Sequence, residues 1–162
     1  MSNLTIIAAV GKNNELGKSG KLIWHLPKDL KFFKSCTLNK TIIMGYNTYL
    51  SLGRLLPNRK HVVLTRTDRV LPEEVDIYHS TQALMENIDM YKEPFVIGGA
   101  EIYCQFIDKA TAMYLTEIEA VDSQADTYFP YFNTEAWDKE VLSSSSDNDI
   151  NFKHVLYKRR IG

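Results

Sequence analysis

The strongest constraint on the fold is a succession of short apolar runs, several of them hydrophobic at consecutive positions. They are residues 4–10 (LTIIAAV), 41–45 (TIIMG), 61–65 (HVVLT), 95–97 (FVI) and 112–118 (AMYLTEI). A strand that is apolar on both faces has to be covered on both sides, which is the situation of a parallel sheet. Segments of helical character lie between the runs, at residues 27–37, about 48–52, 81–88 and about 100–108, with Ser80 placed to cap the third. The alternation predicts an α/β fold, a mostly parallel sheet with helices on both faces. Residues 75–78 add a weaker strand. Two late strands, at about 138–144 and 151–159, flank the polar turn at residues 146–149 and predict a C-terminal antiparallel hairpin. Residues 11–24, rich in Gly, Lys and Asn, read as a long loop, a candidate lid.

With 162 residues and neither repeat nor linker, the chain is expected to form one domain over 1–162. Its net charge of −1 offers no field for nucleic acid or an anionic membrane. No apolar run approaches the roughly 20 residues that span a bilayer, and the first ten residues lack a basic leader. A cytoplasmic location follows as an expectation, with Cys36 and Cys104 reduced and buried. His25, His61, His79 and His154 lack the spacing of a metal site, so no metal is expected.

Chemistry is concentrated at residues 23–34 (IWHLPKDLKFFK). Pro27 suits the first position of a helix, on which Leu26, Leu30 and Phe33 form an apolar face and Lys28, Lys31 and Lys34 the wet one. Asp29 sits at the margin of the apolar face. A carboxyl at the edge of an apolar pocket has its pKa raised and becomes useful for proton transfer near neutrality. The bland alternative is an acid that complements the helix dipole.

Two strand-to-helix junctions carry phosphate-binding character: Gly98-Gly99-Ala100-Glu101, and Gly45-Tyr46-Asn47-Thr48. Glycines admit a close ligand, and the helix start offers free amides. Together they suit a ligand with two phosphates. Gly11 to Ser19 imitates a P-loop but has five residues between its glycines where four are needed, and no G-x-G-x-x-G fingerprint is present.

In order, these segments resemble the dihydrofolate reductase family, over nearly the whole chain. The resemblance is carried by Ile7-Ala8-Ala9, Leu16-Gly17, Trp24 through Lys34, Ile43-Met44-Gly45, Ser51-Leu52-Gly53-Arg54, Leu56-Pro57-x-Arg59-Lys60, Ile97-Gly98-Gly99, Tyr103, Tyr114-Leu115-Thr116 and Asp126-Thr127-x-Phe129-Pro130. It implies a mostly parallel eight-stranded sheet and NADPH-dependent reduction of 7,8-dihydrofolate to tetrahydrofolate, in service of one-carbon metabolism and thymidylate synthesis. Hydride goes to C6 of the pterin and a proton to N5.

By resemblance, Asp29 binds the pterin and promotes N5 protonation, Thr116 bonds that carboxylate, Trp24 helps hold an ordered water, and Tyr103 lies beside the hydride path. Ile7, Ala9, Leu22, Leu30, Phe33, Lys34, Leu52, Leu56 and Ile97 surround the substrate, and Arg59 grips its α-carboxylate. Ala8, Leu16 and Gly17 match the nicotinamide end of the cofactor site. Gly45, Tyr46, Asn47, Thr48, Gly98, Gly99, Ala100, Glu101 and Ile102 match its pyrophosphate cradle. Leu64, Thr65, Arg66 and Gln105 match its adenosine end. The resemblance also implies sensitivity to antifolate inhibitors and a monomer.

The chain departs from the family at Tyr46, where a basic residue commonly meets the 2′-phosphate of NADPH, and at Asn47, a frequent histidine. Arg66 is the expected substitute. Ile23 replaces a common proline before Trp24. Two other classes stay open: a related reductase acting on another pterin or a pyrimidine riboside phosphate, and a nucleotide-binding module without catalysis.

Overall fold

A computed structural model describes residues 3–161, and Met1, Ser2 and Gly162 lie outside the described residues. The main sheet begins with β1 (Thr5–Val10). It continues with β4 (Thr41–Gly45), β5 (Lys60–Leu64), β6 (Asp76–Tyr78), β7 (Phe95–Gly98), β8 (Ala112–Ile118), β10 (Trp137–Asp147) and β11 (Ile150–Arg159). Their order is β10-β11-β8-β1-β7-β4-β5-β6. Every pairing from β8 to β6 is parallel, and β11 is antiparallel to both β8 and β10. The expected eight-stranded, mostly parallel sheet with a closing hairpin is therefore present. The hairpin turn is Asn148-Asp149, both at positive φ (50° and 63°), the conformation that matches strand twist.

Alternate residues of β1 enter different cores. Ile6, Ala8 and Val10 pack with α3 (Thr81–Met85) and α4 (Ala100–Phe106) through Leu84, Ile102, Tyr103 and Phe106. Ile7 packs on the other face with Met44 and with Phe32, Phe33 and Leu52 of α1 (Pro27–Thr37) and α2 (Tyr46–Leu52). The period of 2 thus sorts one strand between two helical layers. Ser80 caps α3 as expected, its hydroxyl accepting from Ala83 N at 3.1 Å. The helix ends at Met85 rather than residue 88, and a 3₁₀ turn, Ile88–Met90, follows.

The segment 11–24 differs from its reading as a loop. Glu15–Lys18 (β2) and Lys21–Leu22 (β3) form a small antiparallel sheet with Thr127–Tyr128 (β9). The turn between β2 and β3 is Ser19-Gly20, both at positive φ, so the Ser-Gly pair was the available signal. The strands are too short to show a period. Among the cysteines, Cys36 is half-buried but Cys104 is exposed, against the expectation that both are buried. Among the described residues no helix is long and apolar enough to cross a membrane.

β1 pairs with β7 only at Thr5–Phe95 and Ile6–Val96, then the two strands part. On its other side β1 stays paired with β8 through Val10. The gap opens at the carboxyl ends of the parallel strands, where ligands of open α/β sheets bind.

Candidate active site

Asp29 lies in the first turn of α1, whose first residue is Pro27 as expected. Leu26 at the N-cap offers no side-chain bond. The cap comes instead from the far hairpin: Asp147 Oδ2 accepts the Lys28 backbone N–H at 2.7 Å, and Asn148 Nδ2 donates to the His25 carbonyl at 2.8 Å. The hairpin end thereby fixes the turn that carries Asp29.

Two side chains converge on one oxygen of this carboxylate. Thr116 Oγ1 donates to Asp29 Oδ1 at 2.5 Å, and His154 Nε2 lies 3.1 Å from the same atom. The Asp29 side chain is 18% exposed and that of His154 8%. His154 was not among the residues singled out from the sequence. Its signal was the inward face of a strand, Phe152-x-His154-x-Leu156, in which one member is polar.

Asp29, Leu30, Ala9, Leu16, Leu22 and Trp24 line a chamber of about 160 Å³. Trp24 sits against Gly11, where a Cβ would come 2.6 Å from its ring and 2.4 Å from Glu15 Oε1, so only glycine fits there. Glu15 is buried, and its two oxygens accept the backbone N–H groups of Asn13 (2.7 Å) and Asp122 (2.8 Å). With Ser19 N donating to Asp126 Oδ2 at 2.8 Å, these bonds tie the segment over the chamber to the loop after β8.

A cleft of about 1270 Å³ continues from Ala9, Leu16, Gly17 and Leu22 across the sheet. Gly45, Tyr46, Asn47 and Thr48 line one wall, Ile97 through Tyr103 another, and Leu64, Thr65, Arg66 and Gln105 the far end. Of the expected cofactor residues, Ala8 is the exception, because its side chain packs in the core. Gly98 has φ +131°, and a Cβ there would meet Tyr103 and Thr48 at 3.4–3.5 Å. α2 and α4 both start at the cleft with glycine N-caps and no side-chain cap, which leaves their first amides unspent. That supply of donors, beside a Gly98 backbone at a φ that side chains rarely adopt, fits a pyrophosphate-bearing cofactor. Tyr103 donates to the Ile7 carbonyl at 2.7 Å, and burial, with the Asp29 charge, pushes its hydroxyl pKa up.

Ile7, Phe33, Leu52, Leu56 and Ile97 share one apolar cluster beside these openings. Arg59 lies next to it, its guanidinium donating to Thr37 Oγ1 (2.9 Å), Pro57 O (2.7 Å) and Lys34 O (3.0 Å). The Lys34 side chain is exposed, and only its carbonyl joins this arrangement. At the far end Arg66 pairs with Glu101, and the Arg69 guanidinium stacks on the Tyr46 ring at 4.2 Å. Arg69, His79 and Thr81 also line the cleft and were missed from the sequence. Arg69 and His79 lie in polar loops and Thr81 starts α3, and no pattern singles them out.

Such an arrangement belongs to the α/β enzymes that bind ligands across the carboxyl ends of parallel strands. The family model for dihydrofolate reductase matches residues 3–159. The dihydrofolate reductase of Haemophilus influenzae is 37% identical over 160 residues, covering 96% of this chain and 98% of that one. Dihydrofolate reductase type 3 of Salmonella typhimurium is 36% identical over 91% of each chain. Among solved structures, Enterococcus faecalis dihydrofolate reductase, in complex with NADP(H) and RAB-propyl, has a TM-score of 0.88 at 32% identity. It covers 98% of this chain and 97% of that one. The chain belongs to the dihydrofolate reductase family.

Proposed function

We propose that this chain reduces 7,8-dihydrofolate at C6 and that Asp29 promotes protonation of N5. NADPH, when bound, supplies the hydride. The observation that carries the reading is a carboxylate with one oxygen committed to protein donors, facing a chamber continuous with a cofactor-sized cleft.

With Oδ1 occupied, Oδ2 is left for the ring nitrogen and exocyclic amine of the pterin. Trp24 and Leu22 line the chamber, which leaves room for a water to relay the proton to N5. Arg59 has five N–H groups, of which three are committed; the remaining two suit the two oxygens of the substrate's α-carboxylate. The amides at Gly45–Asn47 and Gly99–Glu101 would hold the pyrophosphate. Leu64, Thr65, Arg66 and Gln105 would hold the adenosine end. Leu16, Gly17 and Ala9 would flank the nicotinamide. The same reading makes residues 1–162 one monomeric, cytoplasmic domain that feeds one-carbon metabolism and is open to antifolates.

The test is NADPH oxidation by purified protein with 7,8-dihydrofolate, beside Asp29→Asn. The expected result is a loss of about 10²–10⁴ in rate at neutral pH, the range of general acid catalysis, with partial recovery at low pH on substrate protonated in solution. Undiminished turnover by Asp29→Asn would remove Asp29 from the mechanism.

A further inference from the structure

We propose that His154 is a positioning residue for Asp29: it fixes the carboxylate's orientation. The inference rests on the Asp29 reading above.

The placement begins with strand register. His154 on β11 is paired with Thr116 on β8, so both side chains leave the sheet side by side on one face and reach the same α1 carboxylate. A slip of one residue would turn His154 to the opposite face. The ring is held on every side. It stacks on Phe32 with centroids 3.8 Å apart and planes 9° apart, and it meets Phe152 edge-on at 5.4 Å. Its Nδ1 lies 3.2 Å from Ser143 Oγ on β10.

The partners assign the protons. An ionised carboxylate only accepts, so Nε2 carries a proton and donates it to Oδ1. Nδ1 then accepts the Ser143 hydroxyl proton. Thr116 and His154 together fill Oδ1 and stop rotation of the carboxylate, which presents Oδ2 to the substrate.

The other groups around the pair do not compete. The Cys36 thiol on α1, the Tyr103 hydroxyl on α4 and the Tyr114 hydroxyl on β8 all have pKa values raised by burial and stay neutral near neutrality. Lys28 spends its ammonium on the Ser146 carbonyl at 2.9 Å, and Asp147 accepts from the Lys28 amide at the hairpin end. His154 is the titratable side chain hydrogen-bonded to Asp29 among the described residues.

The experiment compares the parent with His154→Phe, which keeps the stack on Phe32 but removes the donor, and with His154→Gln, which restores a donor. Two readouts are followed: kcat and KM, taken separately, with NADPH and dihydrofolate, and the ¹³C resonance of the Asp29 carboxyl, identified by its absence in Asp29→Asn. His154→Phe is expected to lower kcat about tenfold, the scale of one hydrogen bond to a charged group, with KM changed less, and to displace the carboxyl resonance. His154→Gln should bring them part of the way back. In the Asp29→Asn background, His154→Phe should leave the rate unchanged.

A kcat and a carboxyl resonance that coincide with the parent's in folded His154→Phe overturn the proposal. If that variant does not fold, Ser143→Ala, which strips the Nδ1 partner, should displace the carboxyl resonance in the same direction by less, and an unchanged resonance overturns it. Full activity of Asp29→Asn would instead overturn the catalytic reading, while the carboxyl resonance still reports on His154.

Discussion

Asp147, at the end of the β10 strand, caps the helix that carries Asp29 by accepting the Lys28 N–H at 2.7 Å. A residue more than a hundred positions away thus does what Leu26 cannot do locally. Replacing Asp147 with Ala should cost about 1 kcal/mol of stability, as lost caps do. It should also lower kcat/KM for dihydrofolate a few-fold, because the turn bearing the carboxylate loosens. Urea unfolding and steady-state kinetics measure the two effects.

Thr116→Val keeps the shape of the β8 residue and removes its hydroxyl donor. A hydrogen bond to a charged acceptor contributes about 1.5–3 kcal/mol, so kcat/KM at neutral pH should fall by roughly tenfold or more. A value within twofold of the parent's would show that Thr116 is dispensable.

Arg59→Lys replaces a fork by a point charge. KM for dihydrofolate should rise by at least about tenfold with kcat nearly unchanged, the pattern of lost uniform binding. A pteridine substrate lacking the glutamate tail should respond equally to both proteins.

The Arg66–Glu101 pair is exposed on both sides (82% and 64%), so it holds Arg66 only weakly. An incoming 2′-phosphate should draw the guanidinium away. Arg66→Gln should reduce the preference for NADPH over NADH by about tenfold, and Glu101→Gln should preserve or increase it. Ratios of kcat/KM for the two cofactors decide.

His61 is buried and neutral: Nε2 accepts the Leu56 N–H at 3.0 Å, and Nδ1 faces the Arg59 carbonyl at 3.2 Å. Burial lowers its pKa below the usual 6.5. Between that value and the lower folded one, the unfolded chain binds a proton that the folded chain refuses, so stability declines as pH falls. The parent should lose stability from pH 7 to pH 5, and His61→Gln should lose less over the same interval. Denaturation at the two pH values supplies the comparison.

The sheet was legible in the sequence because strands buried on both faces leave unmistakable apolar runs, as at Ile42-Ile43-Met44 and Val62-Val63-Leu64. Part of the cleft lining was legible because Gly45 and the Gly98-Gly99 pair mark strand-to-helix junctions. β2 and β3 were not, since strands of four and two residues show no period. His154 was not, because its role depends on register: the sequence shows a strand histidine, and only its pairing with Thr116 brings it to Asp29. The Asp147 cap was hidden for the same reason, contact across the chain.

Strand β11 lies inside the sheet, between β8 and β10, although it follows both in sequence. During synthesis β8 therefore emerges with β1 on one side and an open row of N–H and C=O groups on the other. That edge stays available to a neighbouring nascent chain until residues 150–159 leave the ribosome. The carboxylate site is completed at the same moment, so a growing chain is at its most association-prone just before it acquires the full constellation around Asp29.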